Sequence, residues 1–89
     1  MATMLIQHQV KNFSDWKKVY DSFAGLRASN GELSDTVYQD ANDPSKVTLV
    51  FKWDSLDRAQ KWAQSSELRV AMEKAGVDGL PKVSFLKEI

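Results

Sequence analysis

The chain has no cysteine among its 89 residues, which removes disulfides, thiolate nucleophiles and cysteine-held metals at once. Histidine is nearly absent as well. His8 stands alone, and no carboxylate is spaced to complete a metal site with it, so neither a metal nor another cofactor is expected. The 12 basic and 12 acidic side chains cancel and are interspersed. Nothing resembles the basic stripe that a phosphate backbone requires, so nucleic acid is not an expected partner. No apolar run approaches the ~20 residues of a membrane span. The opening MATMLIQHQV lacks the basic stretch and long apolar segment of a secretory leader, which makes a cytoplasmic setting the default expectation.

What is present is a chain of the right size for one domain over residues 1–89, with a core limited by its length. Its most informative stretch is VTLVFKWDSLDRAQKW at 47–62, where the hydrophobic period changes. Val47, Leu49, Phe51 and Trp53 alternate as on a strand with one buried face. Beyond Asp54-Ser55, Leu56, Ala59, Trp62 and Ala63 recur at helical spacing. Either Asp54 or Ser55 can cap the new helix.

The same reading extends along the chain. Residues 3–10 form a strand that turns Met4, Ile6, His8 and Val10 to one face. A helix over 13–28 carries the apolar stripe Phe13, Trp16, Val19, Tyr20, Phe23, Leu26, and Asn30-Gly31 stops it. Strands follow at 32–40 and 46–54, joined by the turn ANDPS. Helical segments run over 55–64 and on to Ala75, the second with Leu68, Ala71, Met72 and Ala75 on one side, and Gly76 closes it. After a GVDGLP loop, residues 82–88 make the last strand. The order βαββαβ predicts an α+β, ferredoxin-like sandwich, with four strands in an antiparallel sheet and the helices on one face. The other face, with Leu5, Gln7, Val50 and Leu86, is too apolar to stay wet, and a second copy packing against it would cover it. Small domains without disulfides or metals often gain stability by such association.

These segments resemble the dimeric α/β-barrel superfamily, and within it the antibiotic biosynthesis monooxygenase-like domains. The resemblance rests on the strand ending HQV, Trp16 in the first helical turn and Arg27 and Gly31 near the helix end. It continues through YQDANDPSKVTLVFKWDS and DRAQKWAQSSELRVAMEKAGV. It implies a homodimer whose two sheets join into a barrel, with a pocket in each subunit between sheet and helices. It implies, too, kinship with cofactor-independent oxygenases of aromatic polyketides and with haem-degrading enzymes. Two positions depart from the family's pattern: Phe51 stands where many members carry glutamate, and Trp62 where many carry histidine. The second helical region has no histidine to ligate haem iron.

Within that frame His8 is the candidate catalytic base, because a neutral imidazole on an apolar face can accept a proton or hydrogen-bond a ligand hydroxyl. The alternative is a semi-buried histidine satisfied by a protein partner. Trp16, Tyr20, Phe23, Phe51, Trp53, Trp62, Met72 and Phe85 are the candidate ligand-binding walls, for a small apolar or aromatic molecule. Aromatic stripes at these spacings are more often core, yet three tryptophans are many for so small a core. Tyr38 is assigned to the dimer seam or pocket mouth. Arg27 is read as favouring the helix C-terminal dipole in preference to binding an anion, and Lys17–Asp21 as a solvated i,i+4 pair. Three functions remain open: a cofactor-independent monooxygenase, a non-catalytic dimeric ligand-binding module, and a structural dimer with a filled core. A cavity of several hundred cubic ångströms beside His8 would separate pocket from core.

Overall fold

A computed structural model describes residues 2–89. Its elements are β1 (Ala2–Val10), α1 (Phe13–Ser22), α2 (Ala24–Ser29), β2 (Glu32–Gln39), β3 (Lys46–Trp53), α3 (Leu56–Ala63), α4 (Ser66–Ala75) and β4 (Val77–Leu86). The strands form one sheet in the order β2-β3-β1-β4, with every neighbouring pair antiparallel. The helices lie on one face, which makes this the ferredoxin-like βαββαβ sandwich expected from the hydrophobic periods.

Strand alternation sets that layering. β1 and β3 pair Met4 with Phe51, Ile6 with Leu49 and His8 with Val47. All six are buried on the helix side, because directly opposite residues of an antiparallel pair share a face. Trp53, Phe51, Met4, Ile6 and Val47 are the largest side chains sealed from solvent. The opposite face carries Leu5 and Val50 half-buried and Gln7, Tyr38 and Leu86 exposed.

Short polar side chains begin the helices. Asn12 accepts the Asp15 backbone N–H at 3.0 Å, Ser55 that of Arg58 at 3.2 Å and Ser65 that of Leu68 at 3.2 Å. Ser55 is thus the cap of α3, while Asp54 pairs with Arg58 at 2.6 Å. Gly76 closes α4 in the left-handed region at φ 74°. Gly31, at φ +115°, lies so near Asp54 that a Cβ there would come within 2.7 Å of its Oδ1.

Two stretches differ from the sequence reading. The expected helix over 13–28 breaks at Phe23 (φ −96°, ψ 4°) into α1 and the six-residue α2. Phe23 N–H bonds to Tyr20 O at 3.2 Å, tightening the last turn of α1, and Gly25 then weakens helix propensity. The expected GVDGLP loop is already strand: Val77 pairs with Val10 and Asp78 with Gln9. The register then jumps from Asp78 to Lys82, leaving Gly79, Leu80 and Pro81 bulged opposite His8. Gly79 adopts φ 76° there. A proline inside this strand is tolerated because β4 is an edge strand, where bulges and missing N–H donors cost little pairing.

Candidate functional site

His8 reaches the helix side of the sheet through the alternation of β1, and β3 and α1 bury it to 8% exposure. Its ring meets Trp16 edge-on, with centroids 5.7 Å apart and planes at 67°. Both ring nitrogens are sealed from solvent and neither has a hydrogen-bond partner among the described residues. A neutral imidazole needs one acceptor and one donor, so His8 leaves both needs unmet. Burial lowers its pKa from 6.5 to about 4, since an apolar surround penalises the imidazolium. At neutral pH the ring is uncharged and free to accept.

From His8 a column of flat groups crosses the space between sheet and helices. Trp16 stacks on Tyr20 at 4.9 Å with planes 19° apart, helical neighbours four residues apart in α1. The Arg27 guanidinium caps the column, its Cζ 3.9 Å from the centre of the Tyr20 ring. Arg27 donates from Nε to Glu32 Oε2 at 2.7 Å and from Nη1 to the Tyr20 carbonyl at 2.8 Å. Its Nη2 lies 3.8 Å from Asp35, whose carboxylate accepts from the Tyr20 hydroxyl. Burial drives the Tyr20 phenol well above its ordinary pKa, and the bond to Asp35 adds to the shift. Burial raises the Glu32 carboxyl too, against the pull of Arg27.

Between these groups lies a cavity lined by His8, Trp16, Tyr20, Phe23, Arg27, Phe51, Trp62 and Met72, with Ile6, Leu49 and apolar side chains of α4. Its volume is about 40 Å³. At roughly 10–15 Å³ per water position this holds about three or four waters, not a fused ring system. The space lies beside His8 as the functional readings required, but well below several hundred cubic ångströms. Six of the eight candidate wall residues line it. Trp53 does not: it is fully buried in the core, packed against Trp62 at 6.1 Å. Phe85 also lies apart, on the helix side of edge strand β4 and 38% exposed. Tyr38 projects from the opposite sheet face, 55% exposed.

Arg27 does stand in the last turn of α2, as a residue favouring the helix C-terminal dipole would. It is also 5% exposed and ion-paired, which the sequence reading did not include. Its partner Glu32 could not be read from simple alternation, which puts residues 32 and 35 on opposite faces. A register shift between Glu32 and Ser34 sets both acids on the helix side, opposite Trp53 and Phe51. Lys17 and Asp21 do form the exposed i,i+4 pair, at 2.6 Å.

Among the described residues no group of three His, Cys, Asp or Glu side chains could hold a metal ion, and no helix is long and apolar enough to cross a membrane. The family model for antibiotic biosynthesis monooxygenases matches residues 1–74. No curated protein sequence matches the chain. Among solved structures, a Bordetella bronchiseptica protein assigned to the antibiotic biosynthesis monooxygenases superposes with a TM-score of 0.82 at 15% identity, covering 99% of this chain and 96% of that one. SnoaB, a cofactor-independent oxygenase from Streptomyces nogalater, gives 0.80 at 10% identity, with 99% and 92% covered. A conserved protein from Methanosarcina mazei gives 0.77 at 15%, with 100% and 94% covered. At such identities the likeness speaks for the fold.

Proposed function

Since this chain belongs to the antibiotic biosynthesis monooxygenase family, we propose that it binds a small apolar or aromatic metabolite between sheet and helices, with His8 meeting the ligand's polar group. The observation that carries this reading is a His8 with two unpartnered ring nitrogens in the wall of a cavity lined mainly by apolar and aromatic side chains. A buried polar group without a partner costs about 1–3 kcal/mol, and a ligand hydroxyl or carbonyl placed there would recover it. The chain works as a cytoplasmic homodimer, with the sheet face of Leu5, Val50, Tyr38 and Leu86 as its seam. Light scattering that returns a monomer mass would remove that part.

The proposed activity is cofactor-independent oxygenation, in line with the likeness to SnoaB. In such a reaction a deprotonated substrate itself passes electrons to O₂, and the protein supplies a base and a dry pocket. His8, uncharged at neutral pH, is the base in this reading. Its low basicity sets the difficulty. Moving a proton from a phenol-like acid of pKa about 10 to a base near 4 is uphill by roughly 8 kcal/mol, unless the imidazolium and the new anion stabilise each other. This weak basicity favours a second reading, a binding module in which His8 only hydrogen-bonds the ligand.

Both readings are tested with a panel of small phenols and anthrone, following tryptophan fluorescence and oxygen uptake together. Binding is expected to weaken up to about tenfold in His8→Ala, the worth of one hydrogen bond. Uptake that disappears in the same variant supports the oxygenase, and binding without uptake supports the module. If no compound shifts the fluorescence, or His8→Ala binds as the parent does, the site reading is wrong.

A further inference from the structure

The cavity beside His8 is too small for its proposed occupant, so the wall that opens becomes the question. Tyr20 and Arg27 line the inner cavity and also line a second space, a groove of about 450 Å³ on the outer surface between α1, α2 and β2. These two side chains separate the inner space from the outer one. Each is at most 9% exposed, and they are stacked on each other. Arg27 is tied to β2 through Glu32 and to α1 through the Tyr20 carbonyl, a bond that opening must also break. The Tyr20 hydroxyl is tied to β2 through Asp35.

The backbone that carries Arg27 is lightly braced. α2 has six residues, has no side-chain N-cap bond, and is separated from α1 by the break at Phe23. Gly25 lies within it, where an added Cβ would meet nothing within 4 Å. Packing therefore does not require glycine at that position, and its conformational freedom loosens the helix.

We propose that α2 is a door: as it lifts about the Phe23–Gly25 segment, Arg27 leaves the Tyr20 ring and joins the inner cavity to the outer groove. Asp35 and Glu32 on β2 are its latch. With the door open, the ligand site extends from His8 past Tyr20 into the groove and reaches the several hundred cubic ångströms of ordinary small-molecule sites. This route does not depend on which metabolite is bound, or on whether His8 is catalytic.

The test uses diethyl pyrocarbonate, an electrophile too large for a space of about 40 Å³, which carbethoxylates neutral imidazole. His8 is the only histidine, so peptide mass spectrometry reads its modification rate without ambiguity. At pH 7.5, Asp35→Ala and Tyr20→Phe each remove a hydrogen bond to a charged group and should speed His8 modification by about tenfold or more. Gly25→Ala should slow it by about fivefold, because alanine stiffens the helix. Leu80→Ser, in the β4 bulge on the other side of His8, should leave it unchanged. Amide exchange of β1 in each variant separates door opening from global unfolding. Equal modification rates in the parent, the latch variants and Gly25→Ala would overturn the proposal. So would acceleration in Leu80→Ser alone, which would place the route at the bulge, and so would acceleration that only tracks β1 exchange.

Discussion

Two polar groups face the same cavity from opposite ends, and they are supported in opposite ways. Arg27 has a carboxylate, a carbonyl and an aromatic face around it. His8 has the edge of Trp16 and apolar neighbours beside it, and among the described residues nothing bonds its nitrogens. A buried charge cannot survive unpaired, so the Arg27 end had to be built as a complete network. A buried imidazole can discard its proton and remain, at a smaller cost, with its bonding capacity open. In the closed structure the Arg27 end is fully partnered, and the His8 end is left with its bonding capacity open.

The contrast breaks most visibly at Arg27. Arg27→Ala leaves Glu32, itself 7% exposed, with an uncompensated buried charge. It should destabilise the domain by about 3–5 kcal/mol, read by urea denaturation. A loss below 1 kcal/mol would mean that the pair is not structural.

The pH response should be nearly as large and comes from the other end. The folded-state pKa of His8 lies near 4 and the unfolded value near 6.5. Between these values the unfolded chain holds more protons, so its share of stability is complete above pH 6.5 and lost as pH falls toward 4. The loss is about 3 kcal/mol. Carboxylates titrate in the same window, so the measured quantity is the difference between the parent and His8→Leu, which should lack this component. Identical pH profiles for the two proteins would contradict a buried, unpaired His8.

A smaller effect has the opposite sign to that at Arg27. At pH 7.5, His8→Leu removes two orphaned nitrogens and should stabilise by about 1–2 kcal/mol. Thermal melting that shows a loss would mean that His8 already has a partner. Smallest of all, Gly25→Ala should raise stability by about 0.5–1 kcal/mol, because the site has room for a methyl group. Destabilisation there would show that α2 needs its glycine for the native shape, not for motion.

The legibility of the two ends in the sequence follows from the same physics. His8 was readable because β1 alternates without interruption, so position alone puts it with Met4, Ile6 and Val10. Trp16, Tyr20, Phe51 and Trp62 were readable through the 3.6 and 2.0 periods of their elements. Arg27 was not, because a register shift in β2 brought Glu32 to the wrong side of a simple alternation. The strand within GVDGLP was missed because its pairing with distant β1 decided it. The helix break at Phe23 was missed because it rests on a tightened last turn and the weak helix propensity of Gly25. Trp53 and Phe85 had the right faces, yet depth and sheet edge put them outside the cavity.

By itself, the sequence determined the layers of this protein. Side-chain periodicity is a local property, and burying one face of each element leaves little choice of sandwich. Family membership could be read for the same reason, since it resides in the order of those elements and their caps. Only the tertiary structure decided what the aromatic residues enclose. A cavity of 40 Å³ is the small remainder of many packed volumes, and whether a buried group finds a partner depends on atoms far away in the chain. No periodicity reports either.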